Sequence, residues 1–84
     1  MNNTLRHTMH TITKAFGAAV RQVRCQQGLS QEELGYRAGL HRTYIGDIEC
    51  GRRNATLLSA QRIADALQIP LSELIRIAES LQDE

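Results

Sequence analysis

The stretch Ser30-Gln31-Glu32-Glu33-Leu34-Gly35-Tyr36-Arg37-Ala38-Gly39-Leu40-His41-Arg42-Thr43-Tyr44-Ile45-Gly46-Asp47-Ile48 reads as two short helices joined by a sharp turn. Ser30 and Glu33 form a capping box: the serine oxygen accepts from an early backbone N–H and the glutamate reaches back to the serine. That helix runs to about Ala38, and Gly39 stops it. A further helical pattern follows from about Arg42 to Cys50 and ends at Gly51. At 100° per residue, Arg42, Thr43, Gly46, Asp47 and Cys50 share one polar face, while Ile45 and Ile48 point the other way. The offsets are those of a DNA-reading helix-turn-helix. Counted from Gln31, an apolar Leu34 stands fourth and a small Gly35 fifth, where the helices approach. Gly39 stands ninth, at the turn, and Ile45 and Ile48 anchor the second helix at the fifteenth and eighteenth positions.

Outward from this pair, Phe16, Val20, Val23 and Gln27 recur at helical spacing behind a cap at Thr13, and Gly28 supplies a left-handed stop. This is helix one, and residues 1–12 before it read as a flexible tail that can turn helical near its end. Beyond the basic turn Arg52-Arg53-Asn54, Thr56 caps a fourth helix with an apolar stripe of Leu57, Ala60, Ile63, Ala64 and Leu67. Pro70 closes it and opens a fifth helix, Leu71 to about Gln82. The expected fold is therefore all-α: one five-helix domain over residues 13–84, with residues 71–84 a dimerisation helix.

Composition agrees with that class. The chain has 84 residues, one proline and three aromatic residues (Phe16, Tyr36, Tyr44), which suits one small helical domain and not a β-sandwich. No apolar run approaches the roughly 18 residues of a membrane span, and the N-terminal dozen lack the apolar core of a signal peptide, so a cytoplasmic protein without membrane contact is expected. Cys25 and Cys50 make neither a disulfide framework nor a zinc site and read as free thiols. His7 and His10 lack a third ligand, so no metal is expected. No catalytic triad, paired carboxylate or phosphate loop stands out; an enzyme, a cofactor and a small-molecule substrate are set aside. The net charge is only +1, but residues 1–54 carry +4 and residues 55–84 carry −3. The basic surface belongs to the segment that holds the helix-turn-helix.

From about Phe16 to Leu74 the chain resembles the phage-repressor-like helix-turn-helix superfamily, known in bacterial genomes as the xenobiotic-response-element family and having the lambda-repressor-like fold. The resemblance rests on Arg24, Gly28-Leu29-Ser30-Gln31-Glu32-Glu33-Leu34, Tyr44-Ile45, Ile48-Glu49, Ile63-Ala64 and Ala66-Leu67. His41-Arg42-Thr43-Tyr44-Ile45-Gly46 and Arg53-Asn54 are most similar to the controller proteins of restriction–modification systems, small dimeric regulators that activate or repress the restriction operon. The resemblance implies that Gln31 clamps the DNA backbone and that Arg42 and Thr43 meet bases. Arginine suits guanine O6 and N7, and the threonine methyl suits thymine. Asp47 is expected to accept from cytosine N4 or to hold Arg42. His41, Tyr44, Arg52, Arg53 and Asn54 flank the helix and suit phosphates. The resemblance also pairs Arg24 with Glu49 across helices one and three. It is imperfect at Gly35, usually alanine, where glycine should loosen the second helix, and at Cys50, often basic.

The expected partner is a pseudo-palindromic double-stranded operator bound by a homodimer, with two dimers on one operator as a further arrangement. In helix five, Ile77, Leu81, Leu74, Ala78, Leu71 and Ile75 sweep roughly 160°, wider than the roughly 100° that docks a helix on one core. Leu71 and Leu74 can pack on helix four, which leaves part of the Ile75, Ile77 and Leu81 surface for a partner subunit. The alternative is a prophage-type repressor, or an antitoxin that binds a toxin protein and regulates its own operon.

Overall fold

The computed structural model describes residues 2–82, with side chains described from residue 12 onward. Five helices appear among the described residues: α1 Asn2–Gln26, α2 Gln31–Ala38, α3 Arg42–Glu49, α4 Leu57–Ala66 and α5 Leu71–Gln82. Four of them start and stop where the local chemistry requires. Ser30 accepts from the Glu33 N–H at 3.0 Å and Glu33 accepts from the Ser30 N–H at 3.1 Å. Gly39 has φ +70°, which a β-carbon would strain, and the chain turns there without cost to helix packing. Thr56 caps α4 with Ser59 as its reciprocal partner.

Helix one departs from expectation. It opens at Asn2, so Thr13 is an interior helical position and not a cap. Met1 and the side chains of residues 1–11 lie outside the described residues, and with them His7 and His10. The most extensive contact of α1 is with α5. Ile77 and Leu81, expected to face a partner, are half-buried against the core. Ile75 alone of the three is exposed, at 36%.

The core gathers Val20, Leu34, Ile45, Ile48, Ile63, Leu67 and Leu74, all essentially solvent-free. Burying each contributes about 1.5–3 kcal/mol relative to exposure, so these residues anchor all five helices to one center. Hydrogen bonds close its edges: Gln27 Nε2 donates to the Leu67 carbonyl at 2.7 Å and ties the end of α1 to the end of α4.

Two glycines let the recognition helix sit this close. A methyl on Gly35 would lie 2.5 Å from the Leu40 carbonyl oxygen, so glycine there admits the turn and does not merely loosen α2. A methyl on Gly17 would collide with the Ile48 carbonyl oxygen and come within 2.9 Å of that of Glu49. No helix-turn-helix offset flags Gly17; only the packing of α1 on α3 does. Gly17→Ala should lower the melting temperature. The gain of about 1 kcal/mol in helix propensity is outweighed by forcing two backbones apart, a strain of about 1–3 kcal/mol or more. An equal or higher melting temperature in a thermal scan would contradict the close approach.

Candidate nucleic-acid interface

The recognition helix α3 is held from behind by one guanidinium. Arg24 Nε donates to Glu49 Oε2 at 2.6 Å and Nη2 to Glu49 Oε1 at 3.0 Å, while Nη1 donates to the Leu29 carbonyl at 2.7 Å. One side chain thus joins α1, the α1–α2 loop and the end of α3. The pair is nearly water-free, with 12% and 3% of the two side chains exposed. The hydrogen bond to Glu49, opposed by burial, holds the guanidinium above its ordinary arginine pKa. Glu49 Oε1 also accepts from Gln31 Nε2 at 3.0 Å. That contact fixes the Gln31 amide and leaves its second N–H as a donor at the start of α2, where first-turn backbone N–H groups and the helix dipole favor an anion.

His41 caps α3: its Nδ1 accepts from the Thr43 N–H at 3.0 Å, which leaves the proton, and a donor, at Nε2. Arg42 and Thr43 are exposed in the first turn. Among the described residues the Arg42 guanidinium has no carboxylate partner. Asp47 does not hold Arg42; its Oδ1 accepts from Arg52 Nη2 at 3.2 Å. The Arg52 side chain is 68% exposed, so the pair is worth at most about 1 kcal/mol and can be exchanged for a better partner.

Tyr44 is placed differently from expectation. It is half-buried, its Oη lies 2.8 Å from Ser59 Oγ, and its ring carries the Arg53 guanidinium at 5.2 Å from the centroid. The tyrosine therefore ties α3 to α4 and positions a cation. Sequence reasoning missed Ser59; its position three residues after Thr56 was the available signal, because that is where a capping partner stands. Asn54 Oδ1 accepts from Thr13 Oγ1 at 2.7 Å, so its amide NH₂ is the end left to donate. Of the residues singled out in the sequence, Gln31, His41, Arg42 and Thr43 thus stand at or near the helix starts, Asp47 stands on α3, and Arg52, Arg53 and Asn54 stand on the turn that follows it.

Residues 20–74 match the helix-turn-helix family. The control protein C.BamHI of Bacillus amyloliquefaciens is 42% identical over 67 residues, which span 79% of this chain and 83% of that protein. The crystal structure of the restriction–modification controller protein C.AhdI from Aeromonas hydrophila superposes with TM-score 0.73 at 42% identity, covering 74% of this chain and 94% of that one. The controller protein C.Esp1396I, as a tetramer in complex with its natural 35-base-pair operator, superposes with TM-score 0.81 at 26% identity over 87% of this chain and 96% of that one. The chain belongs to the helix-turn-helix transcriptional regulators and, within them, to the family of restriction–modification control proteins. No helix among the described residues is long and apolar enough to cross a membrane.

The Arg24–Glu49 pair yields a direct test. Alanine at either position leaves its partner buried and uncompensated, which should cost about 3–5 kcal/mol. The double mutant should cost much less than the two losses added together. Strictly additive losses in chemical denaturation would mean that the two residues do not depend on one another.

Proposed function

We propose that the protein is a cytoplasmic transcriptional regulator that binds a pseudo-palindromic operator of a restriction–modification operon as a homodimer and acts by binding, without a catalytic step. The observation that carries this reading is the exposed first turn of α3. There, among the described residues, Arg42 stands without a carboxylate partner on a helix whose back is locked to α1 by Arg24 and Glu49. In this reading Arg42 and Thr43 read bases, and Asp47 takes part through cytosine N4 or through Arg52. Gln31, His41, Arg52, Arg53 and Asn54 hold phosphates, while Tyr44 supports Arg53 from beneath. The tetramer of C.Esp1396I on its operator supports a second dimer on the same DNA.

The dimer surface in this reading shifts toward α4. Leu57 and Leu58 are 77% and 63% exposed, and Leu57 and Ile75 border a groove of about 540 Å3 with Ile12, Phe16, Ala60 and Leu71. A second copy is the occupant, because a two-fold axis lets this patch cover itself while the acidic segment 55–84 stays away from phosphate. Leu57→Glu should leave the fold intact, since the side chain makes little contact with the core, and should shift the sedimenting species to monomer. A mutant dimer as tight as the parent would place the interface elsewhere.

Base reading is tested on an operator selected from a random duplex pool. Arg42→Ala should lose about 1–3 kcal/mol on that operator and relax preference at one base pair per half-site, with little change on a scrambled duplex. Equal losses on both duplexes in gel-shift titrations would remove Arg42 from the base-reading set.

A further inference from the structure

Behind the basic turn lies a recess of about 220 Å3, lined by Thr13 and Lys14 of α1 and by Gly51, Arg52, Arg53 and Asn54. Three of these six residues are cations and none is an acid. Among the described residues Lys14 has no carboxylate partner, and Arg53 has only the Tyr44 ring. The backbone N–H groups of Arg53 and Asn54 likewise have no acceptor among the described residues, whereas those of Gly51 and Arg52 are satisfied by Ile48 and Asp47. Close approach of α1 builds the recess. Gly51 has φ +73°, and a β-carbon there would lie 2.9 Å from Lys14 Cγ and 3.3 Å from Lys14 Cα. On the neighboring residue, Thr13 Oγ1 fastens the turn to α1 through Asn54.

Uncompensated like charges with two unpaired N–H donors form an environment that an anion relieves. We propose that this recess seats a backbone phosphate of the bound duplex, with Lys14 of α1 as a phosphate ligand beside Arg53 and the two turn N–H groups. The proposal rests on the DNA-binding reading above and extends the contact surface from the helix-turn-helix to the first helix. A plainer role for Lys14 is to neutralize the C-terminal end of α3, whose last turn has no basic residue. That role predicts a change in stability and none in the ion balance of binding.

The two roles separate in the salt dependence of affinity for a labelled duplex of arbitrary sequence, followed by fluorescence anisotropy over a range of potassium chloride concentrations. Each phosphate neutralized contributes about 0.9 to the slope of log affinity against log salt. Lys14→Ala should reduce the slope by about 0.9 per bound protomer, and Lys14→Arg should keep the parent slope. Arg53→Ala reports on the turn independently. If Lys14→Ala keeps the parent slope, whether or not it melts earlier, Lys14 meets no phosphate and the proposal fails while the DNA-binding reading stands. A parent chain that binds no duplex at low salt overturns both.

Discussion

The guanidinium of Arg24 is the point on which the interface depends. Its three donors engage Glu49 twice and the Leu29 carbonyl once, so the pitch of α3 against α1 and the entry of the chain into α2 are set together. Removing two charges from water is costly, and such pairs often add little net stability compared with an apolar substitute. Their value is directional. A leucine pair would fill the space but would not fix the angle of α3, and a recognition helix turned by a few degrees presents its first-turn side chains to the wrong base edges. Because Glu49 also orients the Gln31 amide, the same carboxylate links the core to the start of α2.

Close backbone approach is the second constraint, and glycine meets it at three places along α3. Gly17 admits the carbonyls of Ile48 and Glu49, Gly35 admits that of Leu40, and Gly51 admits Lys14. Each removes a side chain where a methyl would push α3 or its flanking turns outward. Glycine within α1 and α2 costs helix propensity of about 1 kcal/mol each. That cost is offset by the depth at which Ile45 and Ile48 are buried, with 0% and 1% of their surface exposed.

Much of this was legible in the sequence because it is local. The Ser30–Glu33 capping box, the Gly39 turn and the alternation of polar and apolar residues in α3 need only a dozen neighboring positions, and α2 through α5 stand where those signals put them. Three features were missed. The start of α1 was misjudged because Thr13 resembles a cap, although Leu5, Met9 and Ile12 already continue the stripe of Phe16 at helical spacing. Nor does the width of the α5 stripe show how the surface of Ile77 and Leu81, both half-buried against the core, divides between that core and a second copy. The ties Tyr44–Ser59 and Thr13–Asn54 join positions distant in sequence, and no periodicity encodes them. The pairing of Arg24 with Glu49 was anticipated only from family resemblance, since nothing in a single sequence matches two charges that far apart.

The polar side chains of the interface divide into those already committed and those held in reserve, and the division is energetic. Glu49, with 3% of its side chain exposed, must stay paired, because losing its arginine would leave a buried charge; it belongs to the fold in every state. The Asp47–Arg52 pair is solvated, and a phosphate or a base can take either partner at a cost of at most about 1 kcal/mol. Among the described residues Arg42 has no ion-pair partner to give up, so its guanidinium donors are open to a ligand, and Arg53 is preset by the Tyr44 ring without being satisfied by it. A surface built this way has its geometry set from behind by buried charge and its specificity left open in front by exposed charge. Mutations behind it should therefore act on stability first, and those of Arg42 and Arg53 in front on DNA recognition first.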